Sequence, residues 1–510
     1  MIKKETLEKY KNALVWFCGS GYYPPFVCAL VLLGYYTRLE LLFGAINILL
    51  FSLSLWFMDS AKHALILAGT FIYQIAPGHS PVVPGYSDYF FTGVRPFIVG
   101  ALGIVLVVSF VAYARRTGVY KTFNFKDCDL LKPMLLLAAA FLLNGVGSDG
   151  YTVSELLLGT AEAGCYFAFF LLFYYGIRKK DLKEIDGYFC YCTFWIAAVI
   201  LLQLVILYIT GDVLREDGAI AFTSIRLGWG VSTVIGAAIA VLIPVLLYGA
   251  MRRPCPIPYF VMAFAAVIGC FFSMSRMALG VGTLFFGVSL LIGCFCGKRK
   301  TLFQTVSLVM ILAVLIVLIG YFENIMRLFA VYFEKGFSSS GRLPIWKKCV
   351  DGFFDHPIFG AGFFGLKIGA SISHFAHNSI MQMIGSCGLF GIVSYLLYRI
   401  ETVFLYLKRP TLFKTMMGLS AAALVVASLL DIFLFSFIMM LYHSALLALT
   451  CILNREEEAD ERAGRISVSA PVSLAADASA PASDAITKSA SAAAAPMQDA
   501  APDIKESEKE

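Results

Sequence analysis

Apolar residues along this chain gather in blocks of about 20, separated by short charged or Gly- and Pro-containing stretches, and a helix of that length spans the roughly 30 Å hydrocarbon core of a bilayer. Scanning for such runs predicts helices near residues 13–33, 39–58, 62–77, 94–114, 131–147, 153–176, 188–210, 229–250, 257–273, 277–296, 302–321, 378–398, 413–430 and 432–453. Only tight turns separate 257–273 from 277–296 and 413–430 from 432–453. The pattern predicts an all-α polytopic membrane protein with about 12 to 14 transmembrane helices, with both ends on one side.

Composition agrees. Of 510 residues, 59% are hydrophobic and 15% charged, against roughly 45–50% and about 25% in soluble domains. The 44 Phe, 25 Tyr and 5 Trp exclude a disordered chain for the same reason. Thirteen cysteines make no CxxC pair, and those in apolar blocks, such as Cys190, Cys192, Cys294 and Cys296, read as small packing residues. The first block follows Met1-Ile2-Lys3-Lys4 without a distinct small-residue cleavage site, and reads as a retained span.

The basic residues orient the chain. With the N-terminus inside, the inner loops hold Arg115-Arg116, Arg178-Lys179-Lys180, Arg252-Arg253, Lys298-Arg299-Lys300 and Lys408-Arg409. That places 23 basic residues inside and 11 outside up to residue 453, the asymmetry expected of cytoplasmic loops. The net charge of +6 then divides into +12 for residues 1–453 and −6 for the tail from 454. Most of the positive charge is therefore topological.

Three outward segments are long enough to carry function: 78–93, 211–228 and the loop from Phe322 to His377. Within the last, Arg342 to Phe354 predicts a short helix with Pro344 in its first turn. Ile345, Trp346, Cys349, Val350 and Phe353 would share one face, suiting a helix that lies on the membrane surface or covers a cavity mouth. A structural interfacial helix is the plain alternative. Residues 454–510 are Ala- and Ser-rich, open on Glu456-Glu457-Glu458, and read as a disordered cytoplasmic tail.

Four polar residues near the outer face stand out: Arg226 in SIRLGWG, Arg276 in FSMSRMALG, Arg342 in SGRLPIW and His377 in SHFAHNS. Arg276 lies between two apolar blocks with no loop around it. Alone it fits two readings, a side chain that snorkels to the headgroups or an anion site at a helix N-terminus. Glu162 and His443 fall within apolar blocks and read as acceptor or lipid contacts or as interhelical hydrogen-bonding groups. Asp431 marks the turn between the last two blocks.

The stretches GRLPIWKKCVDGFFDHPIFGAGFFGL and SHFAHNSIMQMIGSCGLFGIVSYLLY resemble the large outer loop and following span of the O-antigen ligases and the related Wzy-type O-antigen polymerases, polytopic glycosyltransferases of the C-type fold. SMSRMALG and SIRLGWG are similar to that family's upstream arginine segments. The resemblance covers roughly Ser224 to Leu397. It suggests a division into variable N-terminal helices (1–210), a ligase-like catalytic region (211–453, including the outer loop 322–377) and the tail (454–510). Around Arg226 the chain departs from the Asn-Pro or Pro-Asn dipeptide common in the family, reading Arg226-Leu-Gly-Trp-Gly-Val-Ser-Thr.

The resemblance implies a metal-independent inverting glycosyltransferase that needs no cofactor. It would act in a bacterial inner membrane, with its site facing the periplasm and both termini cytoplasmic. The donor would be a glycan on undecaprenyl pyrophosphate and the acceptor a hydroxyl on another glycan or on a lipid A core, with no nucleic acid involved. Arg226, Arg276 and Arg342 would hold the pyrophosphate, for which the guanidinium fork is suited, and His377 would be the base or a pyrophosphate clamp. His374, Trp346 and Asn378 would support it. His356 reads as structural, with Gly360, Gly362 and Gly365 turning the loop back. A ligase and a polymerase remain open alternatives within the family. A transporter or flippase is the competing class, against which stand the lack of an internal repeat and the placing of charges at the rim.

Overall fold

The computed structural model describes residues 4–70, 94–122, 124, 128–149, 151–211, 225–227, 230–323, 326, 342–363, 365–366, 376–433, 437–462 and 464. They form an all-α polytopic membrane protein. Its principal helices are α1 (Lys4–Gly19), α2 (Tyr23–Thr37), α3 (Glu40–Phe57), α4 (Arg95–Thr117), α5 (Leu131–Leu142), α6 (Val153–Gly176) and α7 (Ile185–Ile209). After a two-stranded hairpin, β1 (Arg226–Leu227) and β2 (Gly230–Val231), come α8 (Ser232–Arg252), α9 (Pro256–Phe272), α10 (Arg276–Cys296), α11 (Lys300–Gly320), α12 (Arg342–Asp355), α13 (Ser379–Leu407), α14 (Leu412–Ser428) and α15 (Phe437–Arg462). Among the described residues eight helices are long and apolar enough to cross a membrane, nine if the bent α1–α2 pair is one span. The apolar helices α5, α9 and α14 are shorter.

Helix α8 is the centre of the bundle, with 94% of its span buried. It reads as apolar on every face, as a helix enclosed by others must. Its neighbours approach closely through small residues: a methyl group on Gly236 would lie 2.5 Å from Ser273 Oγ, the small-residue contact typical of membrane helices. The Arg299 guanidinium closes the other end of α8, donating to the carbonyls of Arg253 (2.5 Å) and Pro254 (3.1 Å), where a helix leaves acceptors unsatisfied. By contrast α11 is only 6% buried, as befits a helix facing lipid.

The expected first block, 13–33, is not one straight helix. It breaks at Ser20-Gly21-Tyr22 with a bend of 86°. Proline occupies the first turn of α2; without an N–H, and with its ring against the preceding turn, it starts a helix but does not continue one. Of the block 62–77, the described part is a 3-10 turn (Lys62–Ile66) and a short helix (Leu67–Thr70).

Helix α13 is interrupted at Gly388, whose φ of +62° belongs to the left-handed region. The bonds lost there are replaced by another part of the chain. Leu389 and Phe390 N–H groups, which in an unbroken helix reach the carbonyls of 385 and 386, donate instead to Pro357 (2.8 Å) and Ile358 (3.1 Å). The freed carbonyls of Gly385 and Ser386 accept from Ala361 (2.8 Å) and Gly362 (3.1 Å). Beyond them Phe363 N–H donates to buried Glu155 at 3.1 Å. The His-Pro-Ile-Phe-Gly-Ala-Gly turn is thus built into the helix, with His356 a backbone acceptor for Gly360 (2.9 Å). Non-helical backbone at this depth is tolerated only where protein satisfies it.

The helix expected from Arg342 forms as α12, but it does not lie across the bundle. Ile345 and Met381 pack on one small cluster around Cys349, Cys349 touches Gly385 and Ile358 bonds Phe390, so α12 packs against the first half of α13. Cys349 is buried as expected, whereas Val350 is 37% exposed. Its one-residue offset from Cys349 turns it about 100° away on the helix.

The tail does not begin at 454. Helix α15 continues to Arg462 because its acidic turn finds a base for each carboxylate. Glu457 meets Lys414 (2.7 Å), Glu458 meets Lys408 (2.6 Å), Glu461 meets Arg409 (2.6 Å) and Glu456 meets Lys179. Residues 465–510 lie outside the described residues.

Candidate functional site

At the end of the bundle where α13 begins, three local devices converge on His377. Asn378 caps α13, its Oδ1 accepting from the N–H groups of Ile380 (2.9 Å) and Met381 (3.0 Å), an arrangement that satisfies donors a helix start leaves open. The Asn378 Nδ2 donates to Leu429 O at 2.8 Å, tying α13 to the end of α14. On the other side Trp346 Nε1 donates to Ala376 O at 2.8 Å, and Ala376 N–H donates to Gln382 Oε1 at 2.8 Å. His377 lies between these two anchored residues with φ +49°, a conformation that costs a non-glycine residue energy and persists where its surroundings enforce it.

The His377 side chain is 46% exposed, and its Nδ1 lies 3.2 Å from Oδ1 of Asp431, which is 10% exposed. Burial raises the Asp431 carboxyl's affinity for a proton. The hydrogen bond and charge of His377, with donors from Ile432 N–H and Thr233, outweigh it and hold the group below its usual carboxylate value. An ionised carboxylate only accepts, so Nδ1 carries the hydrogen; in the neutral ring Nε2 then has the free lone pair. This leaves a half-exposed imidazole with a fixed tautomer and an available basic nitrogen.

Thr233 stands in the first turn of α8, two residues beyond the β1–β2 hairpin, where Arg226 pairs with Val231. Asp431 therefore joins His377 to the segment that carries Arg226. Arg276 is the first residue of α10, following Ser275, whose Oγ accepts from Ala278 N–H at 3.3 Å. Helix α10 meets α8 through Gly236, one turn beyond Thr233. Arg342 is the first residue of α12, one turn before Trp346. All three arginines are half-buried. Two of them add positive charge to a helix N-terminus that is already positive, which disfavours the bare protein by about 0.3–1 kcal/mol each and favours a bound anion by the same electrostatics.

His374 lies outside the described residues. Glu162 and His443 are buried in the bundle interior, apart from this end. His443 Nε2 is 3.4 Å from Arg399 of α13, so its contact joins two helices. Among the described residues no three His, Cys, Asp or Glu side chains converge as a metal set would require. Asp431, read from the sequence only as a turn, is the residue the structure adds. Its signal was present: it is the sole carboxylate between Leu412 and Leu453.

Residues 260–396 match the family model described as O-Antigen ligase. The match runs from within α9 to residue 396 in α13, past the Gly388 break, and includes Arg276, Arg342, Trp346, His377 and Asn378; Arg226 and Asp431 lie on either side of it. A search of curated proteins returned no match. The likeness to O-antigen ligase thus rests on residues 260–396, about a quarter of the chain.

Proposed function

We propose that this protein transfers a glycan from a polyprenyl pyrophosphate, of the undecaprenyl type, to an acceptor hydroxyl at the outer face of a bacterial inner membrane. The observation that carries the reading is the His377–Asp431 pair, held by capping and by Trp346 at the end of a segment that matches O-antigen ligase. In the proposed reaction the acceptor oxygen bonds to the anomeric carbon as the bond from that carbon to the pyrophosphate oxygen breaks. The hydroxyl proton passes to His377 Nε2, and Asp431 stabilises the imidazolium formed. Attack from the face opposite the leaving group inverts the anomeric centre. Arg226, Arg276 and Arg342 meet the charge that develops on the departing pyrophosphate, so no acidic proton donor is needed. The excess of basic residues in the loops opposite supports the orientation, with both termini inside.

Purified protein in detergent, supplied with an undecaprenyl-pyrophosphate-linked oligosaccharide and an acceptor, tests this. Release of undecaprenyl pyrophosphate should require His377 and Arg342. Transfer unchanged by Arg342→Ala or Arg276→Ala would overturn the arginine cradle. The large-loop motif favours a ligase over a polymerase. A cell lacking the protein then accumulates long polymer on its lipid carrier beside bare core, whereas loss of a polymerase leaves core bearing single repeat units.

A further inference from the structure

Cys128 and Cys451 are 323 residues apart in sequence, yet their Sγ atoms lie 3.1 Å from each other. Both are free thiols and both are buried. Cys128 ends the connection between α4 and α5, and its carbonyl accepts from Leu131 N–H at 3.1 Å in the turn that opens α5. Cys451 stands on α15 one turn before Asn454, whose Nδ2 donates to Leu405 O of α13 at 3.0 Å and whose Oδ1 accepts from Lys414 at 2.9 Å. The pair therefore lies beside the ion pairs that fasten the acidic turn of α15 to the neighbouring loops. Its charged neighbours are Asp129, which is exposed next to Cys128, and Arg455, one turn beyond Cys451, which lies 4.8 Å from the Tyr174 ring.

The two thiols are not equivalent. Cys128 Sγ faces the S–H of Cys451 and the N–H groups of Leu130 and Leu131 at the start of α5; these donors outweigh burial and the Asp129 charge, and hold the Cys128 thiol below its ordinary value. Cys451 is within α15, where backbone N–H groups are already committed to the preceding turn. We infer that Cys128 and Cys451 form a peroxide-responsive dithiol, with Cys128 the nucleophile and Cys451 the resolving thiol, which oxidation joins into a disulfide tying the α4–α5 connection to α15. The Cys128 thiolate attacks one oxygen of hydrogen peroxide, the O–O bond breaks, and a sulfenic acid and hydroxide form; the hydroxide takes up the proton that Cys128 had released. The Cys451 sulfur then attacks the sulfenic sulfur, the S–O bond breaks, and the departing hydroxide leaves as water with the Cys451 proton. Two thiols and one peroxide thus give one disulfide and two waters. The sulfurs need close by only about 1 Å to reach the bonded distance of about 2.05 Å. In the orientation proposed above the pair stands at the cytoplasmic end of the bundle, a compartment where disulfides serve as transient redox sensors more often than as permanent ties.

Full-length protein, purified in detergent with its thiols reduced and then exposed to hydrogen peroxide, tests this. Peptide mapping should find residues 128 and 451 joined, and dithiothreitol should release them. The oxidised protein should unfold at a higher temperature than the reduced one, because the bond closes a long loop in the unfolded chain. Dimedone, which traps sulfenic acids, separates the roles. In Cys451→Ser the adduct at residue 128 should rise several-fold over the wild type, where the resolving thiol competes, and Cys128→Ser should carry none at residue 451. The cross-link itself is read in the unaltered protein, so a variant that fails to fold leaves that result standing. Peroxide that leaves 128 and 451 unlinked would overturn the inference, as would a bond already complete in protein from unstressed cells, which would make the pair a permanent tie. An adduct at 451 in place of 128, or faster oxidation of Cys255, which is exposed but has no capping hydrogen bond, would overturn the assignment of Cys128 as nucleophile.

Discussion

His377 Nδ1 and Asp431 Oδ1 lie 3.2 Å apart across two helix ends that are 54 residues distant in sequence. The carboxylate fixes which ring nitrogen carries hydrogen. Asp431→Asn offers an amide donor in its place, favouring the opposite tautomer and turning the lone pair away from the acceptor. In the transfer assay kcat should fall by about 10² or more with KM little changed. His377→Gln should do the same, and the double variant should be no worse than the more damaging single change. Additive losses would show that the two act independently.

The same pair sets an acid limit on stability. The Asp431 carboxyl is held below its ordinary 3.8, so its pairing stabilises the fold fully above that pH. The contribution is lost as pH falls through the depressed value. Thermal unfolding in detergent should show a constant gap between the wild type and Asp431→Asn at neutral pH. The gap should narrow only in acid below the ordinary carboxylate range. An acid limb of the activity profile near neutrality does not then belong to Asp431.

Trp346 reaches the site through one hydrogen bond to Ala376 O. Trp346→Phe keeps most of the ring packing and removes that donor. The expected loss is roughly 0.5–1.5 kcal/mol, about two- to tenfold in kcat, with the protein still folded. A drop in thermal midpoint without loss of kcat would assign Trp346 to packing alone.

Gly388 and Gly360 tolerate no side chain. A methyl group on Gly388 would lie 2.6 Å from Gly360 N and from Ile358 O, in a left-handed conformation. Gly388→Ala should destabilise by about 1–3 kcal/mol from backbone strain alone, and further by loosening the four bonds that replace the helix. Gly280, inside α10 with open space around its Cβ position, is the control, where alanine should be neutral or stabilising. The melting midpoints of the two variants in detergent give the comparison.

The buried Lys414 ammonium meets Glu457 at 2.7 Å and Asn454 at 2.9 Å. Truncation after residue 464 keeps this contact, and truncation after 453 removes it with its neighbours. The shorter protein should unfold at lower temperature, because Lys414 is left buried without its carboxylate. Equal midpoints would show that the acidic turn contributes nothing to the bundle.

Much of this was legible in hydropathy. The block 153–176 coincides with α6, and Arg276, expected at a helix N-terminus, is the first residue of α10. What hydropathy cannot carry is direction. The 86° bend at Ser20-Gly21-Tyr22 lies inside an unbroken apolar run, and the interruption at Gly388 leaves the run of α13 just as apolar. Arg276, Arg342 and His377 stand out in the sequence through their local motifs. The partnership of Asp431 with His377 does not, because a hydrogen bond between residues so far apart depends on how α13 and α14 meet. The acidic turn of α15 was hidden for a similar reason: its composition suits a solvated tail, and only the basic residues of other loops make it helical.

The exchange of hydrogen bonds at Gly388 also imposes an order on biosynthesis. Residues 357–362 leave the ribosome before 385–390, the partners that satisfy them. Until α13 emerges, the carbonyls of Pro357 and Ile358 and the N–H groups of Ala361 and Gly362 lack the partners that α13 gives them, and hydrocarbon offers none. The loop therefore enters the bilayer together with the span that follows it, as a single late insertion step, and the His377 end is completed only after most of the bundle is already in place.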